Sequence, residues 1–173
     1  MGYMPKEGYL TDQMRVIAPD LMKSVTTIDY SPLLDSCKLS HNDWAKIAGD
    51  IEENYLEYDA FVIVHGTDTM AYTASGLSFM LENLSKPIIL TGSQIPLCEL
   101  GNDAASNLIG ALELAVYHRV PEVCIYFCNK LFRGCRVRKV DSSNLKAFDS
   151  PNHLPLAELD VSCVIHWDRV WRS

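Results

Sequence analysis

The amino-acid sequence predicts an α/β fold, an open three-layer sandwich built on a mostly parallel sheet. Three observations carry this. Short β-rich apolar runs recur at residues 61–64, 88–91 and 122–127, and their bareness suits strands buried on both faces. Between them, apolar residues fall at helical spacing. Each run stops abruptly at polar residues or glycine, so the order strand, helix, strand, helix, strand implies crossover connections and parallel strands.

Taken in chain order, residues 1–30 read as irregular, with strand character near 25–30. Ser40-His41-Asn42-Asp43 has the form of a capping box with Asp in place of Glu. Trp44, Ile47, Ala48, Ile51 and Tyr55 follow on one helical face. The strand at 61–64 ends at His65-Gly66. Met70, Ala74, Leu77, Leu81 and Leu84 predict a second helix, and Lys86-Pro87 restarts the chain into the strand at 88–91, closed by Gly92. Asp103 is a candidate cap for a third helix, with Leu108, Leu112 and Ala115 on one face. After Pro121 comes the strand at 122–127. Residues 129–155 read as polar and irregular, with cations at Lys130, Arg133, Arg136, Arg138 and Lys139. Residues 161–165 suggest a last strand, and 167–173 have no assigned role.

Composition narrows the function. The chain has 173 residues, enough for one domain with a real core. A net charge of −7 argues against a nucleic-acid binder, whose footprint would be basic. No apolar run approaches the ~18 residues of a membrane span, and the N-terminus does not read as a secretory signal. Six cysteines, several inside apolar runs and none in a Cys-x-x-Cys pair, read as thiols of a cytosolic protein. The histidines are scattered, which argues against a metal site. The glycines form neither a dinucleotide fingerprint nor a phosphate loop, so no cofactor is expected. No Gly-x-Ser-x-Gly elbow is present.

In a parallel sheet the ligand sits at the carboxyl ends of the strands. Residues 65–69, 91–94 and 127–139 should therefore be adjacent in space. Thr67 and Asp68 have two compatible readings, capping the next helix or facing the crevice as hydroxyl and carboxylate. A threonine hydroxyl needs a base before it can act. Lys139 can serve if its proton is made easy to lose, although residue type alone makes it a surface lysine. Asp35-Ser36 fits a turn or helix cap, and equally a site for the ammonium and carboxylate of an amino acid.

The run from His65-Gly66-Thr67-Asp68-Thr69 to Thr73-Ala74-Ser75, followed by Lys86-Pro87 and Thr91-Gly92-Ser93-Gln94-Ile95-Pro96, resembles the second active-site signature of the bacterial-type L-asparaginase family. The variant is similar to the type I, cytoplasmic branch, which includes animal members, and the likeness extends from about residue 2 to 156. The resemblance implies an amidohydrolase that converts L-asparagine to L-aspartate and ammonia through a threonine nucleophile. It implies a small-molecule substrate, no cofactor, and a homo-oligomer for the full-length family. Thr67, Asp68 and Lys139 match the family's catalytic threonine–aspartate–lysine set, and Asp35 and Ser36 match its substrate-binding pair, to which Thr67 and Asp68 also contribute. Gly2-Tyr3-Met4-Pro5 looks like the end of the active-site loop, so Tyr3 matches the tyrosine that serves the first nucleophile. Asn107 resembles a structural asparagine.

The departures generate expectations of their own. The family's first strand and its Gly-Gly-Thr-Ile-Gly nucleophile motif are expected ahead of Met1. Residues 1–160 are expected to form an incomplete N-terminal asparaginase domain and 161–173 a divergent tail, with the C-terminal domain absent. These residues alone are then expected to hydrolyse asparagine at no more than a trace rate. Smaller departures are Cys37, Gly101-Asn102-Asp103 and Val137-Arg138. The alternative reading is a non-catalytic relative that binds an amino acid or a full-length subunit. A third, the amidotransferase subunit acting on misacylated tRNA, shares this domain but is disfavoured by the acidic charge.

Overall fold

The computed structural model describes residues 7–31 and 36–171. In chain order the helices are α1 (Tyr9–Ile17), α2 (Pro19–Met22), α3 (His41–Asn54), α4 (Met70–Met80) and α5 (Ala104–Tyr117). The strands are β1 (Phe61–Val64), β2 (Ile88–Thr91), β3 (Val123–Phe127), β4 (Lys130–Arg133), β5 (Arg138–Lys139), β6 (Phe148–Asp149), β7 (Ala157–Leu159) and β8 (Cys163–Ile165). Six strands form one sheet in the order β1-β2-β3-β4-β7-β8, and β5-β6 make a separate ribbon. The three strands β1 to β3 are parallel, β4 reverses, β7 reverses again and β8 reverses once more. Four of the six strands thus share one direction, which is the mostly parallel α/β sheet expected.

Alternation along the strands builds the three layers. Ile88 and Leu90 of β2, with Val123, Ile125 and Phe127 of β3, pack against Ile47 and Ile51 of α3 and Met70, Ala74 and Leu77 of α4. Ile89, Cys124 and Tyr126 point the other way, onto Ala111, Leu114 and Ala115 of α5. Met14 of α1 packs beside α5 on Leu108 and Leu112. The capping box at α3 forms as its sequence predicts: Asp43 Oδ2 accepts from the Ser40 N–H at 2.7 Å and the Ser40 side chain accepts from the Asp43 N–H, while the Ser40 hydroxyl donates to the same carboxylate at 2.8 Å.

Several expectations are corrected. Residues 9–17 and 19–22 are helical, not irregular, and 25–30 form no strand. That segment is tied down by side chains instead. Asp29 accepts from the Gly8 N–H at 2.8 Å, and the Tyr30 hydroxyl donates to Asp50 at 2.7 Å. Helix α4 ends before Leu81, whose backbone is extended, and Asn83 follows at φ 53°. The stretch 129–155 is ordered by pairing: a two-residue turn joins β3 to β4, with Cys128 and Asn129 at φ 47° and 64°. Positive φ at both central residues is the turn geometry that matches strand twist.

Asp103 does not cap α5 through its side chain. Its carboxylate accepts from the N–H groups of Gln94 and Ile95 and from the Asn107 amide, at 2.9–3.1 Å. It therefore fixes the loop after β2 to the start of α5. Among the described residues no helix is long and apolar enough to cross a membrane.

Candidate active site

The three clusters anticipated at the strand ends meet. Lys139 Nζ donates to Thr67 Oγ1 at 2.8 Å and to Asp68 Oδ1 at 2.8 Å. The Thr67 hydroxyl in turn donates to Gln94 Oε1 at 3.1 Å, and Gln94 Nε2 donates to the Asn144 carbonyl at 3.2 Å. Thr67 follows β1, Gln94 follows β2 and Lys139 lies on β5, so the sheet and its ribbon assemble the group from distant segments.

Strand alternation explains why Lys139, and not Arg138, enters the site. Phe148 of β6 is buried against Phe127, with ring centroids 4.9 Å apart, and pairs with Lys139. Val137 is buried in the same cluster. Anchoring Val137 leaves the next residue, Arg138, exposed and turns Lys139 inward. The Lys139 side chain is 17% exposed, whereas Asp68 is 65% exposed.

The charge of Lys139 shapes Asp68. The hydrogen bond from Lys139 and then its charge hold the Asp68 carboxyl below the usual aspartate range, against a small opposing burial effect. The Cys37 thiol adds a weak donor at 3.7 Å to Oδ2. Because the folded-state pKa is depressed, the pair's stabilisation is present above the ordinary aspartate pKa and is lost as pH falls through the folded value. With Asp68 this exposed, the contribution is at most about 1 kcal/mol. In Lys139→Met, Asp68 should titrate back in the ordinary range, a shift readable from its carboxyl carbon resonance. An unmoved titration would show that Lys139 is not the cause.

Ser36 belongs to the cluster. Its carbonyl accepts from the Thr69 hydroxyl at 2.7 Å, and a Cβ on Gly66 would collide with its side chain. Only glycine allows this approach. Asn107 is buried and cross-links the strand ends: Nδ2 donates to the Gly92 carbonyl at 3.0 Å and Oδ1 accepts from the Cys128 N–H at 3.0 Å. Tyr3 and Asp35 lie outside the described residues. Gln94 was not singled out as a site residue in the sequence; its signals were a place in the 91–94 strand-end cluster and in the Thr91–Pro96 part of the family resemblance. A cleft of about 630 Å³ runs along the outer edge of β1 and reaches Ser36, Gly66 and Ser93, so it opens beside Thr67.

Residues 7–171 match the family described as asparaginase, N-terminal. The chain belongs to the asparaginase family. It is 53% identical over 146 residues to the L-asparaginase of Dirofilaria immitis, covering 84% of this chain and 25% of that protein. It is 49% identical over 164 residues to L-asparaginase 1 of Escherichia coli K12, covering 92% of this chain and 48% of that protein. The crystal structure of L-asparaginase I from Vibrio cholerae superposes with a TM-score of 0.88 at 44% identity, covering 98% of this chain and 53% of that one. The chain thus spans between a quarter and about half of the length of these relatives.

Proposed function

We propose that this chain supplies the Thr67–Asp68–Lys139 part of an L-asparaginase active site, in a protein that hydrolyses L-asparagine to L-aspartate and ammonia. The observation that carries the reading is one lysine nitrogen at 2.8 Å from both the Thr67 hydroxyl and the Asp68 carboxylate. In its neutral form Lys139 accepts the proton that Thr67 gives up, or that Thr67 relays from the attacking group. It then returns that proton to the amide nitrogen leaving as ammonia. Gln94 Oε1 holds the Thr67 hydroxyl in place. Asp68, largely exposed, is the natural acceptor for the substrate ammonium, with Asp35 and Ser36 completing the amino-acid site. Tyr3 serves the nucleophile of a Gly-Gly-Thr motif, a run that does not occur in the 173 residues. The names of the relatives support the reaction, and six cysteines without a disulfide support a cytoplasmic setting. The reaction needs no cofactor, and the homo-oligomer is assigned to the full-length protein rather than to these residues alone.

Ammonia release from L-asparagine, measured on the natural full-length protein and its Thr67→Ala variant, tests this. Turnover that falls at least ~10²-fold in the variant is expected. Turnover retained within about tenfold would remove Thr67 from the chemistry. Tight L-asparagine binding without turnover in the natural protein would make it the non-catalytic, amino-acid-binding relative instead.

A further inference from the structure

The His65 ring is buried at the base of the site and touches neither Lys139 nor Asp68 through any hydrogen bond. Its Nδ1 lies 2.7 Å from the carbonyl oxygen of the next residue, Gly66. A carbonyl only accepts, so Nδ1 carries the proton. Its Nε2 lies 2.9 Å from Thr73 Oγ1. That same hydroxyl oxygen accepts from the Trp44 indole N–H at 3.0 Å. An indole only donates, so the Thr73 proton is free to go to Nε2, the acceptor of a neutral imidazole. The chain therefore has one polarity throughout: Trp44 donates to Thr73, Thr73 to His65, and His65 to Gly66.

The members of the chain are closely held. Trp44 is seated where a Cβ on Gly76 of α4 would overlap it at 2.7 Å. The His65 N–H donates to the Thr91 carbonyl at 2.8 Å, which continues the β1–β2 pairing. The His65 carbonyl abuts Gly92, where any Cβ would collide. Burial disfavours the imidazolium and keeps the ring neutral, as this polarity requires.

We propose that His65 is a positioning residue for the reaction, its ring holding the Gly66 carbonyl and so setting the orientation of the Gly66–Thr67 peptide that carries the catalytic hydroxyl. A trans peptide is planar. Turning its carbonyl toward the buried imidazole turns the Thr67 N–H to the opposite side, and fixes the Cα from which Thr67 reaches Lys139 and Gln94. Ser36 closes the other flank of Gly66. Gly66 has no side chain to hold itself, so the two neighbours decide its peptide plane. The inference rests on the role given to Thr67 above.

The test combines kinetics with NMR on the natural full-length protein. The ¹⁵N pattern of the His65 imidazole should show the neutral Nδ1–H tautomer at neutral pH; the Nε2–H tautomer or an imidazolium would overturn the proposal. His65→Phe removes the donor and should lower kcat about 10²-fold with little change in KM, and should move the Thr67 amide resonance. His65→Asn places an amide N–H near the position of Nδ1–H and should restore most of that loss. Thr73→Val, at a distance from substrate, should lower kcat less and move the same resonance. If these variants only lower the melting temperature, with kcat of the folded enzyme and the Thr67 resonance unchanged, His65 is structural and the proposal fails alone. If Thr67→Ala leaves turnover intact, the catalytic reading and this one fall together.

Discussion

Replacing Lys139 by arginine should abolish turnover as completely as replacing it by methionine, lowering kcat by about 10³-fold in each case. The two variants separate what Lys139 does from what it carries. Arginine keeps a cation beside Asp68, and its forked donors can reach both oxygen atoms now 2.8 Å from Nζ. It cannot give up its proton at any working pH. If Lys139 only neutralised Asp68 or oriented Thr67 by charge, arginine would retain much of the rate. If Lys139 takes the proton of Thr67, arginine is as inert as methionine. The measurement is kcat for ammonia release in the natural full-length protein. Lys139→Arg activity within about tenfold of the parent would leave Lys139 an electrostatic group and require another base. Both variants should melt close to the parent, since the lysine–aspartate pair is exposed on the aspartate side.

Which parts of this structure were legible in the sequence follows from where the determining forces act. Helix α3 was readable because Ser40 and Asp43 specify its start within four residues. Strands β2 and β3 were readable because burial on both faces leaves continuous apolar runs, and β1 carries the same kind of run although, as the edge strand, it is only half-buried with Val64 exposed. Helix α1 was not, because it begins at Gly8 in a left-handed conformation without a side-chain cap. Strand β4 was hidden for a related reason. It is four residues long, starts and ends with a cation, and is reached through a Cys128-Asn129 turn rather than an asparagine–glycine pair. Its end cation, Arg133, belongs inside the protein, where pairing with Glu122 offsets its charge.

The site divides in the same way. Thr67 and Asp68 stood out because a buried strand ended in polar residues. Lys139 lies 72 residues from Thr67, and spacing carried no sign of the contact; only the resemblance selected it from five nearby cations. The structure supplies the physical reason in the burial of Val137 and Phe148 on either side of the ribbon. Gln94 and His65 lie in the quoted signature runs, but they act through hydrogen bonds whose partners are set by tertiary structure, so no sign of those contacts was present in the sequence.

Glu122→Ala should destabilise the protein by about 3–5 kcal/mol, lowering the melting temperature by roughly 10 °C for a chain of this size. Glu122 and Arg133 are each only 6% exposed at the side chain, and their contact is bidentate, with Nε to Oε2 at 2.5 Å and Nη2 to Oε1 at 2.9 Å. The rest of the guanidinium is also engaged: Nη1 meets His153 Nε2 at 3.0 Å, Nη2 donates to the Arg169 carbonyl at 2.7 Å, and Trp171 stacks over it at 4.7 Å. Glu122 additionally accepts from the Trp171 N–H at 2.6 Å. Removing the carboxylate strands a buried cation and an N–H at once, which is why the cost should exceed that of any surface pair. The residues near 167–171, silent in the sequence, are held to the sheet by this group. The double variant Glu122→Leu/Arg133→Met should recover most of the lost stability, because an apolar pair of similar volume carries no desolvation cost. A double variant as unstable as Glu122→Ala would place the stability in the hydrogen bonds to Trp171 and Arg169 rather than in charge pairing.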